Sequence, residues 1–137
     1  MWLLFSIACF DSKTRSGQEV YSLYCTHCHQ SNGMGVSGIY PPLVGSEWLD
    51  GDKPVLILLH GLQGEIEVKG QVYNNVMSAW GGVLNDEEIA GVINYIRSSW
   101  GNSGTSMSAD RVKALRSKYK GHRSWRAGPL LDELKSE

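Results

Sequence analysis

The clearest periodic signals along the chain lie in three stretches. After a polar start at residue 11, Val20, Leu23 and Tyr24 recur at spacings near 3.6, which predicts a helix entered at an N-cap Ser16 and running to residue 24. "KPVLILLHG" predicts a second, short helix, with Asp52 as cap, Pro54 suited to a first turn, and Gly61 and Gly64 as stops. The third is the strongest. Asn85 and Glu88 form a capping-box pair, and Ile89, Val92, Ile93 and Ile96 line one face of "DEEIAGVINYIRSSW" until Gly101-Asn102 ends it. Between the first two helices, residues 30–52 are rich in Gly, Ser and Pro and hold no period, so a loop is expected. "EIEVKGQVY" alternates around Lys69-Gly70, the pattern of a small two-stranded hairpin, and "NNVMSAWGG" reads as loop.

The two ends differ in character. "MWLLFSIACF" is apolar from Trp2 to Phe10, too short to span a bilayer as a helix, which takes about 20 residues. It resembles the apolar part of a secretory signal without the positive n-region, so export is expected. Cys9 after Ile7-Ala8 stands where a bacterial lipoprotein signal presents its acylated cysteine, although Ser6 replaces the usual Leu; membrane attachment through a lipid on Cys9 is the corresponding expectation. At the other end, "GNSGTSMS" has linker composition, residues 109–120 predict a basic helix, and a Gly/Trp-containing tail follows.

Composition narrows the class. The chain has 137 residues, 42% hydrophobic and 20% charged, as in one ordinary globular domain. A formal net charge of -1 offers no bulk attraction to nucleic acid, which is excluded as a partner. Three cysteines cannot form an even disulfide framework.

The chemistry concentrates in Cys25-Thr26-His27-Cys28-His29, where three readings compete. A thioredoxin-type dithiol needs a βαβ context, whereas this CxxC follows a helix. Structural zinc needs a fourth ligand and usually a second ligand pair, and no second CxxC exists. In the third reading the motif is a covalent haem attachment. The two thiols add across the porphyrin vinyl groups, and His29 is held beneath the iron as proximal ligand. A covalent macrocycle also gives a small protein with a modest core something to fold around. His27, inside the loop between the thioethers, is a solvent-facing spacer.

Residues 16–100 resemble the class I c-type cytochromes. Gly17 and Tyr21, eight and four residues before Cys25, match the family's small and aromatic residues on its N-terminal helix; Val92 and Tyr95 match the aliphatic–aromatic pair of the helix it crosses. The resemblance implies an all-α fold: a small cytochrome c domain of 3–5 helices around one covalent haem c, with a minor hairpin and a C-terminal helical extension. It implies further that the carbonyl of Pro41, in "PPL", accepts the proton on His29 Nδ1, and that Leu43 packs on the haem. "YNNVMSAWGG" resembles the family's M-P-A-[FW] segment with Ser78 in place of proline, which implies Met77 as sixth ligand. His60, in "VLILLHGL", is the rival axial ligand, since bis-histidine haems exist, but is read first as a satisfied core or haem-edge histidine. Trp48, Tyr73, Trp80 and Trp100 are read first as walls of the haem pocket. A hydrogen bond from Trp48 or Tyr73 to a propionate remains open.

With both axial positions filled, the resemblance implies electron transfer rather than catalysis. The alternative is a haem protein with a labile Met77 bond and peroxidase-like or ligand-sensing activity. "HGL", the hairpin and "IRSSWGN" narrow the likeness to cytochrome subunits or domains of bacterial periplasmic dehydrogenases and copper nitrite reductases. This implies an exported protein, periplasmic or anchored facing the periplasm, passing electrons between a redox enzyme and the respiratory chain. The expected organisation is a signal or lipoprotein segment at 1–11, a cytochrome domain at 12–102, and a linker with basic extension at 103–137. That extension holds Arg111, Lys113, Arg116, Lys118, Lys120, Arg123 and Arg126 against Asp110. It is read either as a loosely packed, solvated helix or as a docking arm anchored by Trp125.

Overall fold

A computed structural model describes residues 13–136. The segment 1–11, with Cys9 and the expectations that fall on it, lies outside the described residues. The helices begin where local chemistry starts them. α1 (Gly17–Tyr24) and α4 (Asp86–Arg97) both open with complete capping boxes, Ser16 with Glu19 and Asn85 with Glu88. In each, the cap side chain accepts an orphan N–H while the Glu returns to the cap's own N–H. α3 (Lys53–His60) has Pro54 in its first turn and ends at Gly61, whose φ of 79° suits glycine. Asp52 precedes α3 without a side-chain cap bond. β1 (Ile66–Val68) and β2 (Gln71–Tyr73) form the expected antiparallel hairpin, pairing Ile66 with Tyr73 and Val68 with Gln71.

Three elements were not anticipated: a helical turn α2 (Thr26–His29) on the motif itself, a 3-10 turn at Glu47–Leu49, and α6 (Ala127–Lys135) after the basic α5 (Ala109–Lys118). The molecule is accordingly all-α with one minor hairpin, six helices among the described residues. None of them is long and apolar enough to cross a membrane.

α1 crosses α4 at a very close approach. A Cβ on Gly17 would lie 2.1 Å from the carbonyl oxygen of Gly91, so only hydrogen fits there. Tyr21 meets Tyr95 beside it at 5.4 Å between ring centroids, with Val20, Val92 and Ile93 fully buried around them. Each such aliphatic side chain contributes about 1.5–3 kcal/mol by leaving water. The crossing is fastened from outside by Arg15, whose Nε donates to Glu88 Oε1 at 2.8 Å and whose Nη2 donates to Oε2 at 3.2 Å. At the far end of α4, buried Arg97 donates to the carbonyls of Leu49 (2.9 Å), Gly51 (2.8 Å) and Thr105 (2.8 Å), tying two separate segments to the helix C-terminus.

The C-terminal residues are not a loose, solvated arm. Val112, Leu115, Tyr119, Trp125 and Leu130 join the same core as α3 and α4. Trp125 is 4% exposed, which removes it as a docking anchor. The basic character of α5 is partly spent inward: Arg111 pairs with Asp52, and Arg116 Nε donates to Asp86 Oδ1 at 2.7 Å.

Candidate functional site

α1 delivers the chain into the motif, and the motif is then turned sharply back. Tyr21 donates its hydroxyl to the carbonyl of Gln30 at 2.6 Å, and Gln30 takes a φ of 64°, a strained value for a side chain-bearing residue. This fold-back brings residues 40–43 alongside α2. His29, 7% exposed, meets the carbonyl of Pro41 there, with Nδ1 2.9 Å from the oxygen. A carbonyl can only accept, so Nδ1 carries the proton and Nε2 keeps a bare lone pair. Burial lowers the His29 pKa, partly opposed by the Pro41 bond, and a neutral imidazole is the form that ligates metals. Gly35 makes the approach possible: a Cβ there would sit 2.7 Å from the same Pro41 oxygen.

Two adjoining cavities, about 760 Å³ and 710 Å³ measured out to open solvent, share Cys25, His29, Pro41, Leu62, Ile66 and Met77 on their walls. They are two lobes of one cleft. One lobe adds Cys28, Tyr73 and Trp80, and the other adds Leu43 and Trp48. Nine of the residues singled out from the sequence therefore line a single cleft, the motif on one wall and the Met77 segment on another. Leu62, Ile66 and Tyr24 line it too and were not foreseen. Tyr24 directly precedes Cys25 and so had a positional signal; the two aliphatic residues had none.

His60 is not on either wall. It faces the C-terminal residues instead, 5.5 Å from the His122 ring and 6.5 Å from that of Trp125, the packed position read first from the sequence rather than the rival ligand's. The polar ends of Trp48 and Tyr73 are already engaged: the indole donates to the Glu67 carbonyl at 2.8 Å and the phenol to Gln71 at 3.1 Å. Trp100 does not line the cleft; it covers Gly33 and packs 5.2 Å from Tyr21.

The electrostatics narrow the chemistry. Burial, with Cys28 adding, pushes the Cys25 thiol up to about 12, the reverse of the activated thiolate a redox dithiol needs. Among the described residues, no three of His, Cys, Asp and Glu gather as a metal-ion cluster, so a zinc site lacks its ligands. Among the described residues, no carboxylate, lysine, arginine or second histidine lines either lobe. What the cleft can do is enclose a large, flat, apolar group, with two thiols at one edge and an imidazole lone pair and a thioether sulfur on its walls.

Comparison with known proteins agrees. Residues 12–96 match the family model described as "Cytochrome C oxidase, cbb3-type, subunit III". Cytochrome c-552 of Thermus thermophilus is 45% identical over 113 residues, covering 74% of this chain and 85% of that protein. The fructose dehydrogenase cytochrome subunit of Gluconobacter japonicus is 34% identical over 111 residues, 77% of this chain but 23% of that subunit. The gluconate 2-dehydrogenase cytochrome c subunit of Pantoea cypripedii is 35% identical over 113 residues, 77% of this chain and 24% of that subunit. With its cleft, its motif and these relatives in agreement, the chain belongs to the cytochrome c family.

Proposed function

We propose that the protein is a single-electron carrier that holds one haem c, bound through thioethers to Cys25 and Cys28, with His29 and Met77 as axial ligands. The observation that carries this reading is the His29–Pro41 hydrogen bond in an apolar cleft that Met77 also lines. The bond holds the imidazole in the tautomer with Nε2 free and makes it a better donor. When bound, the haem supplies the reversible one-electron step at its iron.

The chain's own residues do the rest. Cys25 and Cys28 anchor the macrocycle edge, Pro41 orients the ligand, and Leu43, Leu62 and Ile66 keep water from its faces. Met77, a soft ligand, raises the potential relative to a nitrogen or thiolate donor. The alternative, peroxidase-like chemistry, needs an acid–base group beside the iron. The uncharged lining, in which His29 is the one imidazole among the described residues, weighs against it.

Electrons pass between a redox enzyme and a respiratory chain. The matched stretch is about a quarter of each dehydrogenase cytochrome subunit it resembles, and because those relatives are dehydrogenase subunits a dehydrogenase-type donor is the partner proposed. Export, and a lipid on Cys9, follow from the reading of residues 1–11. Expression with covalent haem-attachment machinery, followed by intact mass and absorption spectra, tests the core of this proposal. A mass increase of one haem, lost in Cys25→Ser/Cys28→Ser, and a weak red-edge methionine–iron(III) band, lost in Met77→Ala, are expected. A high-spin ferric spectrum in the unmutated protein would overturn the ligand set.

A further inference from the structure

The segment that carries Met77 is held from behind by residues far away in sequence. Leu62 pairs with Met77 through two main-chain bonds: Leu62 N–H donates to the Met77 carbonyl at 3.0 Å and Met77 N–H to the Leu62 carbonyl at 2.8 Å. On its other side the same short strand pairs with the C-terminal region. Trp125 N–H donates to the Gly61 carbonyl at 3.0 Å, and Gln63 N–H donates to the Trp125 carbonyl at 2.9 Å. Three short strands thus lie side by side in the order 125, 62, 77. The outer one is fixed by the buried Trp125 ring, stacked on His122 at 3.7 Å and packed on Tyr119 at 5.6 Å.

A second grip lies downstream of Met77. From α5, Arg116 Nη1 donates to the Gly81 carbonyl at 2.5 Å, Nη2 to the Leu84 carbonyl at 2.9 Å and Nε to Asp86 at 2.7 Å. Residues 77–86 are therefore held at one end by Leu62, which Trp125 backs from its other side, and further along by Arg116. The Gly61 and Gly81 contacts with the facing backbone leave no room for lateral slip: a Cβ on either would meet a carbonyl oxygen at 2.7 Å or 2.6 Å.

We infer that Arg116 and Trp125 are positioning residues for Met77, so that the C-terminal region governs how readily the sixth ligand leaves the iron. This rests on the assignment of Met77 as that ligand. Releasing Met77 into solvent requires the 77–86 segment to move away from Leu62; the Arg116 bonds tie that segment directly, while Trp125 keeps in place the Leu62 strand it pairs with. An external ligand for ferric iron binds only the released form, so its apparent affinity scales with the released fraction. Loss of the Arg116 grip raises that fraction about tenfold, which corresponds to about 1.4 kcal/mol.

The experiment uses the full-length ferric holoprotein and imidazole as probe. Arg116→Met is expected to bind imidazole about tenfold more tightly and to lose the methionine–iron(III) band at lower pH than the unmutated protein. Arg111→Gln, which breaks the tie to Asp52 on the other side of α5, is the control and leaves both readouts unchanged. Trp125→Phe, which keeps an aromatic ring at the outer strand, shows a smaller shift in the same direction. Unchanged imidazole affinity in Arg116→Met, with the Met77 band present in the unmutated protein, overturns the inference alone. Absence of that band from the unmutated protein overturns the ligand assignment, and the inference with it. Equal shifts in Arg116→Met and Arg111→Gln would mean general loosening, and would also overturn it.

Discussion

Two glycines face each other where α1 crosses α4, yet the structure predicts opposite outcomes for the same substitution. In Gly17→Ala the new methyl would lie 2.1 Å from the Gly91 oxygen, 2.5 Å from its carbonyl carbon and 3.0 Å from Tyr95 Cβ. Ordinary contact is about 3.5 Å, so the helices must separate by more than about 1 Å. The obstacle is backbone and cannot rotate away. Overpacking of this kind costs about 1–3 kcal/mol. At about 2 kcal/mol, a chain of this size loses about 6–10 °C in melting temperature. In Gly91→Ala the methyl meets Gly17 N and Cα at 3.4 and 3.6 Å, ordinary contact, while a glycine is removed from a helix interior. That exchange gains up to about 1 kcal/mol from helix propensity. Urea unfolding of the holoprotein, followed by circular dichroism, measures both. The reasoning fails if Gly17→Ala is as stable as the unmutated protein, or if the two variants lose stability equally.

Other outcomes follow from single contacts. Glu88 is held below the usual carboxylate range chiefly by its hydrogen bonds from Arg15, so its contribution is full above the ordinary carboxylate pKa and lost as pH falls through the depressed value. Glu88→Gln should therefore flatten the acid limb of urea stability below about pH 4.5, a carboxylate's usual range, and an unchanged limb would refute this. Arg97→Met strands the carbonyls of Leu49, Gly51 and Thr105 and should cost about 2–4 kcal/mol in the same urea assay. Gly35→Ala, blocked by the Tyr40 and Pro41 carbonyls, should speed solvent exchange of the His29 Nδ1 proton, seen by proton NMR. Exchange as slow as in the unmutated protein would show that Pro41 does not need that space.

What could be read in the sequence was mostly what is local. Asn85 with Glu88 acts across one helical turn, and Ser16 with the spacing of Val20, Leu23 and Tyr24 spans two, so both main helices were visible in short local patterns. The motif was equally compact. The Pro41 and Met77 roles came from resemblance, because neither the fold-back at Gln30 nor the approach of residue 77 has a local signature. The surroundings of His60 were hidden for a related reason: its place on α3 is plain, but which side of that helix faces the cleft depends on what covers the other side. That cover is Trp125 and His122, more than 60 residues away. The Leu62 pairings run through main-chain atoms, which any residue supplies, so no side chain could announce them. α6 was missed because Gly128 and Pro129 mask an amphipathic run whose buried Leu130 has meaning only against the rest of the core.

The three-strand arrangement behind Met77 also sets an order of events. Ribosomes make chain at about 5–20 residues per second, so Trp125 follows Cys28 by roughly 5–20 s. During that interval Cys25 and Cys28 exist while the strand that completes the array does not. A nascent or partly delivered chain then has its future cofactor wall open at the back as well as the front. A chain stopped before Trp125 would lack the outer member of that array and leave Leu62 backed on one side only.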